Sequence, residues 1–287
     1  MTHHVTAQTR PFRIGAHLLL AVVLLAGGSV VIFWPAARTT VLVLGATSVA
    51  VHLGVALLTL VGVRLLFRTA HSGRGNPLSQ GQTIRWAALY DVLVPALTLG
   101  RERVVRESTL ECARVSPGER VLDVGCGTGT LALAAKRRVG AKGTVHGVDA
   151  GAEMVARAKQ KAAREGLEAM FDVAPAQALP FPDGSFDVVL CTLMMHHLPE
   201  NGRKQAVAEM RRVLRPGGRL LVVDLAHAEG LWAALNPISL VHGRHDMHSA
   251  DEAAALMKDA GFRDIVAGKL GSRVLGYVLG SAGREQQ

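Results

Sequence analysis

Nine residues, 121–129 (V-L-D-V-G-C-G-T-G), constrain this chain more than any other stretch. A mostly apolar run ends in three glycines at alternate positions, and L-A-L-A-A-K-R-R follows at 131–138. The pattern predicts a buried strand, a tight turn and the first turns of a helix beginning at about Thr130. Glycine suits the turn because a backbone passing under a ligand needs positive φ and no Cβ in the way. The helix aims its unpaired N–H groups and positive dipole end at whatever lies above the turn. Asp123, two residues before the first glycine, is placed to accept hydrogen bonds or to face a cation.

Two ligand classes use such a loop. The dinucleotide fingerprint G-x-G-x-x-G needs a third glycine where this chain has Thr130, which argues against a nicotinamide-dependent oxidoreductase. The run instead reads D-x-G-x-G-x-G and resembles motif I of the class I S-adenosylmethionine-dependent methyltransferases. A pyrophosphate gains nothing from a nearby carboxylate, whereas a ligand carrying an amino group and a sulfonium does. A turn without any ligand is the poorest reading, since three close glycines cost chain entropy without packing return.

From residue 119 onward strands and helices alternate. A strand over 144–148 ends at Asp149, which comes 20 residues after Gly129, the spacing at which a carboxylate meets ribose hydroxyls. A helix over 152–165 follows, with Met154 near its start. The run L-P-F-P-D-G-S-F-D at 179–187 is again similar to the family pattern. Relatives commonly carry D-A-E before it, with the acid near the adenine amino group; here stand Pro175, Ala176 and Gln177. Proline supplies no acceptor side chain and no N–H, which leaves adenine to the Ala176 backbone and Gln177, with Asp172 as a substitute acid. A strand over 186–193 leads into C-T-L-M-M-H-H-L-P at 191–199. A helix over 203–214, the turn R-P-G-G at 215–218 and a strand over 219–224 come next. The tail holds a helix closed by Gly261 and strands over 264–267 and 272–279. The expected fold is α/β, a doubly wound Rossmann-like sheet, parallel with an antiparallel C-terminal strand, over 83–287.

The resemblance implies S-adenosyl-L-methionine as cofactor, bound by Asp123, Gly125, Cys126, Gly127, Thr128, Gly129, Asp149, Ala150, Met154, Ala176, Gln177 and Cys191. W-A-A-L-Y-D at 86–91 resembles the segment that precedes the core in ubiquinone/menaquinone-type methyltransferases. Tyr90 there either covers the cofactor or packs its helix onto the sheet. Methyl transfer from a sulfonium is an in-line displacement and needs no universal catalytic residue. A phenol, enol carbon or ammonium acceptor must also lose a proton, and a neutral histidine suits that task. His196 and His197, at the carboxyl end of a strand, are the candidate bases; the bland alternative is a histidine pair that shapes a helix start. His242, His245 and His248 in V-H-G-R-H-D-M-H are irregularly spaced and read as a lid; no metal is expected.

The N-terminal third is different. Residues 14–33 form an uncharged run of 20, about 30 Å as a helix and enough to cross a bilayer. A second uncharged run of 25, residues 39–63, is closed by Arg64 and Arg68. Residues 1–68 therefore read as a two-span membrane hairpin and 69–82 as a polar, glycine-rich linker. Of the formal charge of +9, six basic residues and no acid lie within 1–82, which leaves +3 on the rest. This placement points to an anionic bilayer as partner and not to nucleic acid. The positive-inside bias puts both ends, and the domain, on the cytoplasmic side. Cys112, Cys126 and Cys191 show no C-x-x-C spacing, in keeping with a reducing compartment. His52, in the second span, either has a function or bonds across to the first helix. A lipophilic acceptor, a quinone precursor or a phospholipid amine, is expected. The alternative is a membrane-held module that binds the cofactor without turnover.

Overall fold

A computed structural model describes residues 102–225, 250–270 and 275–283. The two uncharged runs, His52, Tyr90 and the histidines of 242–248 lie outside the described residues. Among the described residues, no helix is long and apolar enough to cross a membrane.

Helix α1 (Glu102–Cys112) precedes β1 (Arg120–Val124), α2 (Thr130–Val139), β2 (Thr144–Asp149), α3 (Ala152–Glu165) and β3 (Met170–Val173). Then come β4 (Phe186–Thr192), a short 3₁₀ turn (Met195–His197), α4 (Glu200–Val213), β5 (Leu214–Leu225), α5 (Ala250–Asp259), β6 (Arg263–Lys269) and β7 (Leu275–Ser281). The strands form one sheet in the order β3-β2-β1-β4-β5-β7-β6. The first five in that order run parallel; β7 pairs antiparallel with β5 and β6 antiparallel with β7. This is the expected doubly wound sheet with its antiparallel end.

Alternation along the central strands divides the core between two faces. Val121, Val145, Val188, Leu190, Leu221 and Val223 pack with α1, α2 and α3 on one face. Leu122, Val124, Val148, Val189, Cys191, Leu220 and Val222 pack with α4 and Met257 of α5 on the other. Burial on both faces is why these strands read as nearly continuous apolar runs. Asp123 interrupts that run and shares the α2 face with Val121.

The helices follow local chemistry. Helix α3 buries Met154, Val155, Ala158 and Ala162, one stripe at helical spacing, and stops at Gly166 in a left-handed conformation. Helix α2 places Lys136, Arg137 and Arg138 in its last turn, and the Lys136 ammonium donates to the Gly140 and Gly143 carbonyls at 3.1 and 2.8 Å. Helix α4 begins at Glu200, a turn's fraction before the expected 203, because Pro199 takes the N-cap position and an acid suits the first turn. Strand β5 begins earlier than expected as well: Leu214 already pairs with Phe186, and R-P-G-G is an irregularity inside the strand.

Strand order reverses between β1 and β4, so a crevice opens at their carboxyl ends.

Candidate functional site

At the end of β1 the chain turns back under the crevice. The N–H groups of Gly125 and Cys126 both donate to the Val148 carbonyl, at 2.8 and 3.0 Å, which fastens the loop to β2. Gly125 and Gly129 have φ of 72° and 77°, a region that side chains beyond glycine enter at a cost. A Cβ at Gly129 would lie 2.9 Å from the Phe171 ring, and one at Gly125 would lie 2.4 Å from Met194 Cγ. Gly127 is different: among the described residues, no atom beyond its chain neighbours lies within 4 Å of the position its Cβ would take. The loop is therefore closed beneath and open at its middle glycine.

Two acids frame it. Asp149, at the end of β2, accepts from the Gly127 N–H at 2.9 Å and from the Gly151 N–H at 2.8 Å. Burial pushes its carboxyl up, and those two N–H groups pull it back. Asp123 is 1% exposed, and neither carboxylate oxygen has a hydrogen-bond partner among the described residues. Burial first, then the charge of Asp149, raise it to about 7, against the weaker field of the Ala132 N–H, which is not placed to make a hydrogen bond. A buried acid left in this state calls for a cationic partner or a proton. The open glycine and the orphaned acid fit a donor bearing an ammonium and a sulfonium; a pyrophosphate would add a third negative charge.

The second half of the site is built on β4 and β5. Leu193 leaves β4 with φ of 52°, a left-handed conformation that is strained for leucine, and its N–H donates to the Val223 carbonyl at 2.8 Å. That twist sets Met194 against Gly125 and carries the chain into the histidine turn. His196 Nδ1 lies 2.6 Å from Asp224 Oδ1, and the His196 backbone N–H donates to Asp224 Oδ2 at 3.2 Å. Asp224 Oδ1 also accepts from the Leu225 N–H at 2.8 Å. The two imidazole rings of His196 and His197 lie 4.0 Å apart, centroid to centroid. Arg203 ties this turn to α5, donating to the Leu198 carbonyl at 2.7 Å and to Glu252 at 2.8 Å.

The structure thus brings together Asp123, the 125–129 loop, Asp149, Met154, Cys191 and His196. A Cβ on Gly151 would fall 3.1 Å from Asp149 Oδ1 and 3.3 Å from Met154 Cγ, so Met154 flanks Asp149, with half-buried Ala150 between them in sequence. Cys191 is fully buried, and its thiol is pushed up by burial, then by Asp224 and Asp123. Cys126 is likewise a buried, raised thiol. Thr128 turns its hydroxyl down to the Lys161 ammonium at 2.7 Å, which leaves backbone to face the crevice. Ala176 is buried, and Gln177 has both amide atoms buried without a hydrogen-bond partner among the described residues; the neighbouring Ala174 N–H donates to the Asp149 carbonyl at 3.1 Å. Asp172 is exposed on the edge strand and acts on His146, not on the cradle.

Asp224, Met194 and Lys161 were not evident from sequence. Asp224 had a signal: it ends the strand 219–224, and carboxyl ends of parallel neighbours converge. Met194 and Lys161 had none.

Comparison with known proteins adds the following. A family described as "Methyltransferase domain" matches residues 121–218. The ubiquinone/menaquinone biosynthesis C-methyltransferase UbiE of Laribacter hongkongensis is 37% identical over 152 residues, 53% of this chain and 60% of that protein. The same enzyme of Erwinia tasmaniensis is 33% identical over 178 residues, 61% of this chain and 68% of that one. The chain thus spans about 60–68% of the length of these two curated relatives. Among solved structures, a SAM-dependent methyltransferase from Aquifex aeolicus superposes with a TM-score of 0.54 at 25% identity, covering 62% of this chain and 89% of that one.

Proposed function

The chain belongs to the S-adenosylmethionine-dependent methyltransferases, and on that premise we propose that it methylates a lipophilic acceptor at a membrane, a quinone precursor first of all. The observation that carries this is the orphaned Asp123 carboxylate beside an open glycine loop, with the His196–Asp224 pair on the neighbouring strands. Bound there, S-adenosylmethionine supplies a methyl group on a strongly electrophilic sulfonium. The chain's part is to hold the donor on Asp123, the 125–129 loop and Asp149, and to set the acceptor beside His196. The likeness to the ubiquinone/menaquinone biosynthesis C-methyltransferases supports a quinone precursor, and the uncharged runs 14–33 and 39–63 support a two-span tether that keeps the domain on the cytoplasmic bilayer surface. A phospholipid amine is the second reading, favoured by the same tether.

Membranes carrying the full-length chain, incubated with methyl-labelled S-adenosylmethionine, are expected to move label into the organic phase. Chromatography of that phase separates quinone from phospholipid. Label found only in water-soluble small molecules or in protein would remove the lipophilic acceptor, and failure to bind the donor would remove catalysis altogether.

A further inference from the structure

We propose that Asp224 is a positioning residue that holds the proton of neutral His196 on Nδ1, so that Nε2 is the nitrogen able to take a proton from the acceptor. The acceptor class follows: a nucleophile that carries its own proton, a phenol or an enolisable carbon, and not a thioether or tertiary amine. This rests on the methyltransferase reading above.

The geometry is specific. Asp224 Oδ1 lies 2.6 Å from Nδ1, within hydrogen-bond distance, and an ionised carboxylate can only accept. The same oxygen takes the Leu225 N–H at 2.8 Å and its twin takes the His196 N–H at 3.2 Å, so the carboxylate cannot swing away without losing both backbone bonds. The side chains of His196 and Asp224 are only 5% and 11% exposed, which keeps bulk water from competing for the ring. A carboxylate holding one ring nitrogen of a histidine selects which nitrogen bears the lone pair. The balance of the step is then closed. The acceptor proton goes to Nε2, the acceptor electron pair forms the new bond to the methyl carbon, and the pair of the broken C–S bond stays on sulfur as a neutral thioether.

The test uses the full-length protein labelled with ¹⁵N-histidine. Long-range ¹H–¹⁵N correlations, with His196 assigned by the peaks lost in His196→Gln, are expected to place the neutral-ring proton on Nδ1. Asp224→Ala removes the acceptor and should release the ring to the Nε2-protonated form. With a short-chain prenyl 1,4-naphthoquinol as acceptor, Asp224→Ala should lower kcat about 100-fold or more and change KM less than about threefold. Asp224→Asn keeps a carbonyl oxygen for Leu225 N–H and Nδ1–H, and should retain the tautomer and recover part of the rate. Donor binding by calorimetry within about threefold of wild type confirms that each variant is folded. A wild-type ring protonated on Nε2 overturns the proposal whatever the variants do, and so does wild-type kcat in Asp224→Ala. An Nδ1 proton together with no methyl transfer to the naphthoquinol supports the Asp224–His196 assignment and counts against the quinone reading.

Discussion

Asp123 and Asp149 stand at the carboxyl ends of adjacent parallel strands, yet they are served unequally: Asp149 takes two backbone N–H groups, while Asp123 takes no hydrogen bond among the described residues. Gly127, in the loop that follows Asp123's own strand, points its N–H across to Asp149, and Gly151 donates to the other oxygen of the same carboxylate. The protein therefore carries two buried acids that burial pushes up, one offset by two backbone N–H groups and one by no hydrogen bond among the described residues.

That inequality predicts an unusual pH dependence of stability. Asp123 titrates at about 7 in the folded chain against an ordinary 3.8, so the folded state keeps the proton longer than the unfolded one. Its contribution to stability is thus fully present below about pH 4, falls as pH rises toward 7 and is gone above, a loss of a few kcal/mol at most, while Asp187 and Glu209, held below their ordinary values, act in the opposite sense at acid pH. Thermal melts of ligand-free wild type and Asp123→Asn over this range should diverge, with the variant flatter. Parallel curves would show that Asp123 is ionised throughout.

The same group couples donor binding to a proton. At pH 6 a donor carrying an ammonium and a sulfonium should displace most of one proton from Asp123, and at pH 8.5 very little. Binding heats measured in two buffers of different ionisation enthalpy read this directly. Equal heats in both buffers at pH 6 would contradict it.

Gly125 and Gly127 should fail differently when given a methyl group. Both sit at positive φ, so each Ala variant costs about 1–2 kcal/mol of backbone strain. Gly125→Ala adds a collision with Met194, whereas Gly127→Ala meets no atom of the described residues beyond its chain neighbours. We expect the larger fall in Tm from Gly125→Ala. Gly127→Ala should instead raise the donor Kd about tenfold or more, since its methyl group would occupy ligand space. Equal donor affinity in Gly127→Ala and wild type would place the donor elsewhere.

Arg203→Met should uncouple α5 from the histidine turn. The guanidinium is buried and spans the Leu198 carbonyl and Glu252, whose side chain is partly exposed. The loss should be about 1–3 kcal/mol. Amide exchange in α5 should speed up more than in α2 or α3, and uniform exchange across the helices would refute the coupling.

Much of this was legible in the order of residues. The glycine loop, the start of α2 at Thr130, α3 and the acid closing β2 all follow from local pattern, because each depends on neighbours in sequence. The histidine turn was legible as a place, not as a pair: Asp224 joins His196 only through the register that sets Val223 beside Thr192. Helix α4 begins at Glu200 because a proline cap outweighs the apolar periodicity that starts at Ala206. Met194 was invisible for a physical reason: its placement depends on a left-handed Leu193, a conformation no propensity favours.

The space that a side chain at Gly125 would fill is already taken by Met194, so the glycine loop and the turn that carries His196 are moulded against each other. Neither surface can be re-engineered alone. A library aimed at new acceptors that varies 193–197 with the loop held constant will mostly report damage to donor binding, and useful variants should emerge as compensating pairs across that contact.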